Sequence, residues 1–198
     1  MYSFRIEQAI RAAAVLHHDQ TRKGAMPYPY VTHSYSVAMM LTEYTKDENV
    51  IIAALLHDTL EDTDYTLAEL TEDFGGTVAQ IVDALSERKM DGDSKVSWND
   101  RKKAYAKQLK NGPIEAIMVA AADKAHNFRT SVEEYYEDHN RFLQDFGKNL
   151  DERLEVYQTI ANVINNRLSG PLLSEFNHVF EEYKNFIYDI KKAQEFKF

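Results

Sequence analysis

The chain has 198 residues, with 23 Lys+Arg against 32 Asp+Glu, a formal charge of −9, a pI near 5.3 and no cysteine. The acidity argues against broad adhesion to nucleic acid or anionic membrane, and the missing thiols exclude disulfides, thiolate catalysis and cysteine-held zinc. Only 7 Gly and 4 Pro argue against a turn-rich β-sandwich and for long helices, and the length suits one domain, or a domain with an appendage.

The first predicted helix carries Ile6, Ala9, Ile10, Ala13, Ala14 and His17 at 3–4 residue spacing. Gly24, Pro27 and Pro29 make residues 21–32 a loop. A second helix is expected from His33 to Lys46, and a third opens at Asp47 with a buried run from Val50 to Leu56. Thr66 and Glu69 form a capping box for a short helix ending at Gly75-Gly76, and Thr77 can cap the next, through Glu87. Residues 88–96, with Asp91-Gly92-Asp93, are expected to be a loop. A basic helix starts at Ser97-Trp98 and stops at Gly112-Pro113. Pro113 opens another, to Tyr136. Residues 137–148 are polar and ambiguous. A helix from Asp151 to Leu168 follows, then the Gly170-Pro171 break and a helix with an aromatic face to Phe198. No run of apolar residues is long enough to span a membrane, and Met1 to Arg5 lack the apolar core of a signal peptide, so a cytoplasmic location is expected.

Three clusters could carry chemistry. In His57-Asp58-Thr59-Leu60-Glu61-Asp62, which follows the buried run, the pairs His57/Glu61 and Asp58/Asp62 are four apart and share faces of a helix. An acidic last turn opposes the helix macrodipole, a conflict that a bound cation removes; a helix end emerging into water is the alternative. In the second, Asp123, His126, Asn127 and Thr130 fall on one helical face beyond the apolar run Ile117 to Ala122. Burying such a row requires partners or a cavity. The third is Gln20-Thr21-Arg22-Lys23-Gly24 with Tyr30-Val31-Thr32-His33, in which a solvated loop and a capping histidine are the plain alternatives.

Taken in order, His33, His57-Asp58 and Asp123 resemble the H…HD…D pattern of HD-domain metal-dependent phosphohydrolases. Arg22-Lys23-Gly24, Pro29 to His33, Ala53 to Thr63 and Asp123 to Asn127 resemble the hydrolase half of RelA/SpoT-type alarmone enzymes, most of all the stand-alone small alarmone hydrolases, as do Phe74-Gly75 and Trp98 through Tyr105. The resemblance covers residues 1–168. It implies an all-α, HD-type helical bundle of about 8–10 helices, with the helical extension 171–198 packed on it and no room for a synthetase domain.

The resemblance further implies one divalent metal per chain, held by His33, His57, Asp58 and Asp123. Such a mixed nitrogen and oxygen set suits Mn²⁺, with Fe²⁺, Co²⁺ or Zn²⁺ as alternatives. Glu61 and Asp62 are implied to aid water activation and proton transfer, worth about 10²–10⁴-fold. The implied substrate is a small nucleotide, guanosine tetra- or pentaphosphate, (p)ppGpp, cleaved to GDP or GTP plus pyrophosphate. Arg22 and Lys23 are implied to flank the base and Asn127 and Thr130 the ribose; Arg101, Lys102, Arg153 and Tyr157 are candidate phosphate contacts, with a surface charge and a core tyrosine the alternative for the last two. Lys124 and Arg129 are further candidate cations facing substrate, and Asp19 and Asp64 candidate rim acids. The adenosine analogues (p)ppApp, the 2′-phosphate of NADPH, a general HD nucleotidase and a non-catalytic sensor stay open as alternatives. So does the choice of monomer or homodimer, because the stripe Phe176, Val179, Phe180, Tyr183, Phe186, Ile187 and Ile190 could pack on its own core or on a second subunit. Neither a nucleic-acid nor a membrane partner is expected.

Overall fold

The computed structural model describes residues 2–23, 27–88, 90–91 and 94–195; Gly24 and the Gly92-Asp93 pair, both singled out in the sequence, lie outside them. Helix α1 (Phe4–Leu16) starts at Ser3, whose hydroxyl accepts the Ile6 amide, and buries Ile6, Ala9 and Ala13. The loop after it leads to α2 (Val31–Leu41), which buries His33, Ser34, Val37, Ala38 and Leu41. Helix α3 (Glu48–Leu56), capped by the Asp47 carboxylate, is buried without interruption from Val50 to Leu56. Then comes α4 (Thr59–Asp62), a single turn.

Helix α5 (Leu67–Phe74) has both halves of the Thr66/Glu69 capping box. Helix α6 (Gly76–Leu85) starts before the expected Thr77 cap, so Thr77 lies within its first turn. The reason is Gly75, which at φ 89° ends α5 and begins α6 in one residue, a left-handed backbone that glycine adopts without strain. Within residues 88–96, read from sequence as a loop, β1 (Met90–Asp91) and β2 (Ser94–Lys95) form a minimal antiparallel pair.

Ser97 caps α7 (Trp98–Asn111), and Pro113 precedes α8 (Ile114–Glu137). The ambiguous stretch forms α9 (His139–Phe146) and a 3-10 turn, Gly147–Asn149. Its signals are the Asp138 carboxylate, which accepts the Arg141 amide, and Phe142, which is buried. Helices α10 (Leu150–Arg167) and α11 (Pro171–Glu195) complete the fold. The architecture is all-α apart from the two-residue strands. Its eleven α-helices among the described residues exceed the expected number because α4 stands apart from α3 and residues 139–146 fold.

Helix α3 sits at the centre, against α1, α2, α6 and α8, as a helix apolar on every side requires. Each of its buried Val, Ile and Leu side chains contributes about 1.5–3 kcal/mol. Helix α11 lies along α8 and touches α10. Phe128 of α8 stacks on Phe180 and Tyr183 of α11 at ring distances of 5.3 and 4.5 Å. No helix among the described residues is long and apolar enough to cross a membrane.

Candidate functional site

Helix α3 ends where two side chains take over its last carbonyls. His57 Nδ1 donates to Ala54 O at 2.8 Å and Thr59 Oγ1 to Leu56 O at 2.7 Å, substituting for main-chain amides. The chain then restarts as α4, with Asp58 flanking its N-terminus. The sequence spacing treated His57 to Asp62 as one helix. The break separates His57 and Asp58 from Glu61 and Asp62, which occupy the first turn of α4 rather than the end of α3. A single turn carries no appreciable macrodipole, so the case for a cation rests on the ligand geometry.

That geometry is a convergence of three helices. Ligand atoms of His33 (α2), His57 and Asp58 lie within 4.8 Å of one another. Asp123, from α8, brings Oδ1 to 3.1 Å from His33 Nε2 and 3.7 Å from His57 Nε2, and Asp58 Oδ2 lies 3.1 Å from His57 Nε2. His57 commits its Nδ1 proton to Ala54 O, so in the neutral ring Nε2 carries a lone pair; that atom is buried without a hydrogen-bond partner. A lone pair facing two carboxylates is repulsive unless positive charge sits between them. The donor set therefore fits a divalent cation.

The electrostatics show the same demand of the two carboxylates for positive charge, which falls on His57. Burial opposes a charge on His57, but the carboxylates of Asp58 and Asp123 outweigh it and hold its pKa well above the ordinary imidazole value. At His33 burial wins, and its pKa falls despite Asp123. Burial would raise Asp58 and Asp123, yet His57 and Lys124 respectively, with the other neighbours, hold both below the usual carboxylate range. Surrounding groups hold the four candidate side chains. Tyr30 Oη donates to Asp58 Oδ2 at 2.6 Å, and Lys124 Nζ and Asn127 Nδ2 each lie 2.5 Å from an Asp123 oxygen. His126 Nδ1 is 3.0 Å from His33 Nδ1, and burial together with His33 pushes the His126 pKa down to about 4.

Three of the expected substrate residues meet beside this centre. Arg22 Nη2 donates to Asn127 Oδ1 at 3.0 Å and to Thr130 Oγ1 at 3.3 Å, and its guanidinium lies 5.7 Å from the centre of the Tyr30 ring. A second group is cationic and aromatic. Arg153 lies 4.7 Å from the centre of the Phe146 ring and 5.8 Å from that of Trp98; Lys23 Nζ lies 6.0 Å from the centre of the Phe146 ring. Lys102 pairs with Glu87 and lies 6.0 Å from the Trp98 ring centre, and Arg101 is half-buried in the same turn. The Glu87 amide in turn donates to Glu61 Oε2 at 3.2 Å.

Other candidates have partners of their own. The Tyr157 ring packs edge-on against Phe128 and Tyr183 at 5.1 and 5.8 Å, the plain alternative for that residue. Lys124 pairs with Asp123 and lies 5.3 Å from the centre of the Tyr105 ring, and Arg129 pairs with Glu175 of α11. Glu61, Asp62, Asp19 and Asp64 line a cleft of about 740 Å³ whose lining includes none of the four metal-ligand candidates. A groove of about 790 Å³ between α8 and α11 includes none of the metal-ligand candidates. The sequence reading missed Phe146, because residues 137–148 showed no clear pattern, and Glu87, which has no local signature.

The chain matches the HD domain family over residues 9–163. It is 33% identical to the bifunctional (p)ppGpp synthase/hydrolase SpoT of Escherichia coli K12 over 80% of its own length and 21% of that protein's, and 35% identical to a GTP pyrophosphokinase of Myxococcus xanthus over 79% and 20%. It thus spans about a fifth of the length of these relatives. Among solved structures, a metazoan ortholog of SpoT described as hydrolysing ppGpp superposes with a TM-score of 0.76 at 23% identity, covering 92% of this chain and 97% of that one. A Listeria monocytogenes EGD-e protein superposes at 0.61 and 30% identity, over 76% and 97%.

Proposed function

This chain belongs to the HD-domain family, and on that basis we propose that it is a metal-dependent (p)ppGpp 3′-pyrophosphohydrolase. The observation that carries the reading is the convergence of His33, His57, Asp58 and Asp123 next to the Arg22–Asn127–Thr130 cluster. It sits in a chain whose matched relatives are named for making or cleaving this nucleotide.

The four ligands would hold one ion, and their nitrogen and oxygen donors suit Mn²⁺. A divalent ion there supplies polarisation of a phosphoryl oxygen and acidification of a water. Water attacks the phosphorus bonded to ribose O3′, the O3′–P bond breaks, the ribose oxygen takes a proton and pyrophosphate leaves with the water's oxygen. Glu61 and Asp62 handle these protons from the turn beside Asp58. Arg22, with Asn127 and Thr130, receives the nucleoside, and the Lys23, Arg153 and Lys102 cations offset charge on the phosphates. A small tetraphosphate requires only this local reversal of sign on a chain of net charge −9.

The test is release of pyrophosphate from ppGpp by purified protein with Mn²⁺, alongside ppApp and NADPH. Turnover is expected with ppGpp, and Asp58→Ala is expected to abolish it. Activity that survives this substitution overturns the metal assignment, and preference for ppApp or NADPH overturns the substrate.

A further inference from the structure

The proposed chemistry leaves a buried imidazole unused. His17, at the C-terminal end of α1, is 1% exposed. Its ring packs 5.1 Å from that of Tyr30, and its Nδ1 is 2.8 Å from Gln20 Oε1. The Gln20 amide nitrogen is already committed, since it donates to the main-chain oxygen of Asp62 at 2.6 Å. Gln20 Oε1 can therefore only accept, and His17 Nδ1 donates to it. His17 Nε2 is then an acceptor, buried and without a hydrogen-bond partner, which carries a desolvation cost. An apolar side chain would fill that position without it, so the position is explained by the Nδ1 donor.

The Gln20 bond lands where it matters mechanically. Asp62 closes α4, and the last carbonyls of a helix have no amide of their own helix to receive. Gln20, in the loop that follows α1, supplies the donor. Its own main-chain oxygen accepts the Tyr30 amide at 2.9 Å, and the Tyr30 hydroxyl donates to Asp58 Oδ2 at 2.6 Å. One residue thus ties the loop after α1 to both ends of α4, to the acidic turn directly and to the candidate ligand Asp58 through Tyr30.

We infer that His17 and Gln20 form a positioning device that fixes the Glu61-Asp62 turn relative to the metal ligands. His17 sets the orientation of the Gln20 amide; Gln20 holds the Asp62 carbonyl; neither touches metal or substrate. The inference rests on the proton-handling role proposed for Glu61 and Asp62, and it places their precision in a hydrogen-bond relay from the segment that follows α1.

Gln20→Glu is nearly isosteric and sets a carboxylate oxygen against the Asp62 carbonyl. It is expected to lower kcat for pyrophosphate release about 10- to 100-fold, the scale of a misplaced catalytic group. KM and Mn²⁺ affinity, measured by calorimetry, are expected to stay within about twofold, because the four ligands keep their own partners. Amide hydrogen exchange over residues 59–63 should accelerate while α3 stays protected. His17→Phe, which keeps the ring and removes the donor, should show the same pattern with a smaller fall. Loss of Mn²⁺ affinity in step with kcat, or unchanged exchange over residues 59–63 in Gln20→Glu, overturns the inference. Absence of ppGpp turnover in the unsubstituted protein would refute the proposed substrate alone, and the exchange measurement would still decide the role of Gln20.

Discussion

Along α8, Asp123, His126, Asn127 and Thr130 turn toward the metal-ligand cluster, whereas Phe128 turns into a seam of rings from α10 and α11. The two regions are held by opposite means. The polar region gathers buried carboxylates and imidazoles whose like charges and facing lone pairs call for a cation. The aromatic seam involves Phe128, Tyr157, Phe176, Phe180 and Tyr183 at ring distances from 4.5 to 6.4 Å and is stabilised by apolar area and ring geometry. The difference teaches where each kind of damage should register: chemistry in the first, fold in the second.

The largest stability effect is expected from the seam. Phe176 is 1% exposed and stacks on Phe180 at 6.0 Å. Phe176→Ala is expected to lower unfolding free energy by about 3–5 kcal/mol, through lost burial and the cavity left behind. Denaturant unfolding measures it, and Mn²⁺ affinity of the remaining folded protein should be unchanged. A parallel loss of metal affinity would show that α11 shapes the centre and would break the division between the regions.

The polar region should respond in the reverse sense. His33 can offer Nε2 to a metal only while its Nδ1 proton is placed elsewhere, and the atom it meets is His126 Nδ1 at 3.0 Å. Removing such a partner of a ligating histidine weakens metal binding by about 10–100-fold. His126→Ala is expected to do so in a Mn²⁺ titration while moving unfolding free energy far less than Phe176→Ala. His126→Asn, whose amide oxygen can accept in a similar place, should recover part of the loss. Equal affinity for all three proteins would mean that the contact does not orient His33.

Much of the centre was legible because its signals are local. His57-Asp58 follows an apolar run too continuous for a surface helix, and Asp123 to Thr130 repeats at helical spacing. What stayed hidden depends on contacts across the chain. His33 and His126 are separated by 93 residues, and Gln20 and Asp62 by 42; no periodicity records either pairing. Lys124 illustrates the converse case. Its charge suggested a substrate contact, and the structure shows its ammonium paired with Asp123. The α3–α4 break was missed because periodicity continues through it, while the side chains of His57 and Thr59 satisfy the carbonyls that end the helix. Helix α9 was missed because its Phe142 and Phe146 are spread thinly among polar residues, though Asp138 marks its start.

The smallest expected effect comes from a position in neither region, and it sharpens the comparison by showing what an unrelated loss of stability does to the centre. In the α5 capping box the Thr66 hydroxyl accepts the Glu69 amide and the Glu69 carboxylate accepts the Thr66 amide. Thr66→Ala is expected to cost about 1 kcal/mol and to leave Mn²⁺ affinity unchanged. The same box supplies a pH signature. Hydrogen bonds from the Thr66 hydroxyl and then its amide lower the Glu69 pKa from 4.5. A carboxyl group with a depressed folded pKa binds fewer protons folded than unfolded, so its contribution is fully present above pH 4.5 and is lost as pH falls through the lowered value. The stability gap between the native protein and Glu69→Gln should therefore be constant near neutrality and narrow below pH 4.5 in denaturant titrations. A gap that widens on acidification would reverse the sign and show that the ionised carboxylate does not hold the cap.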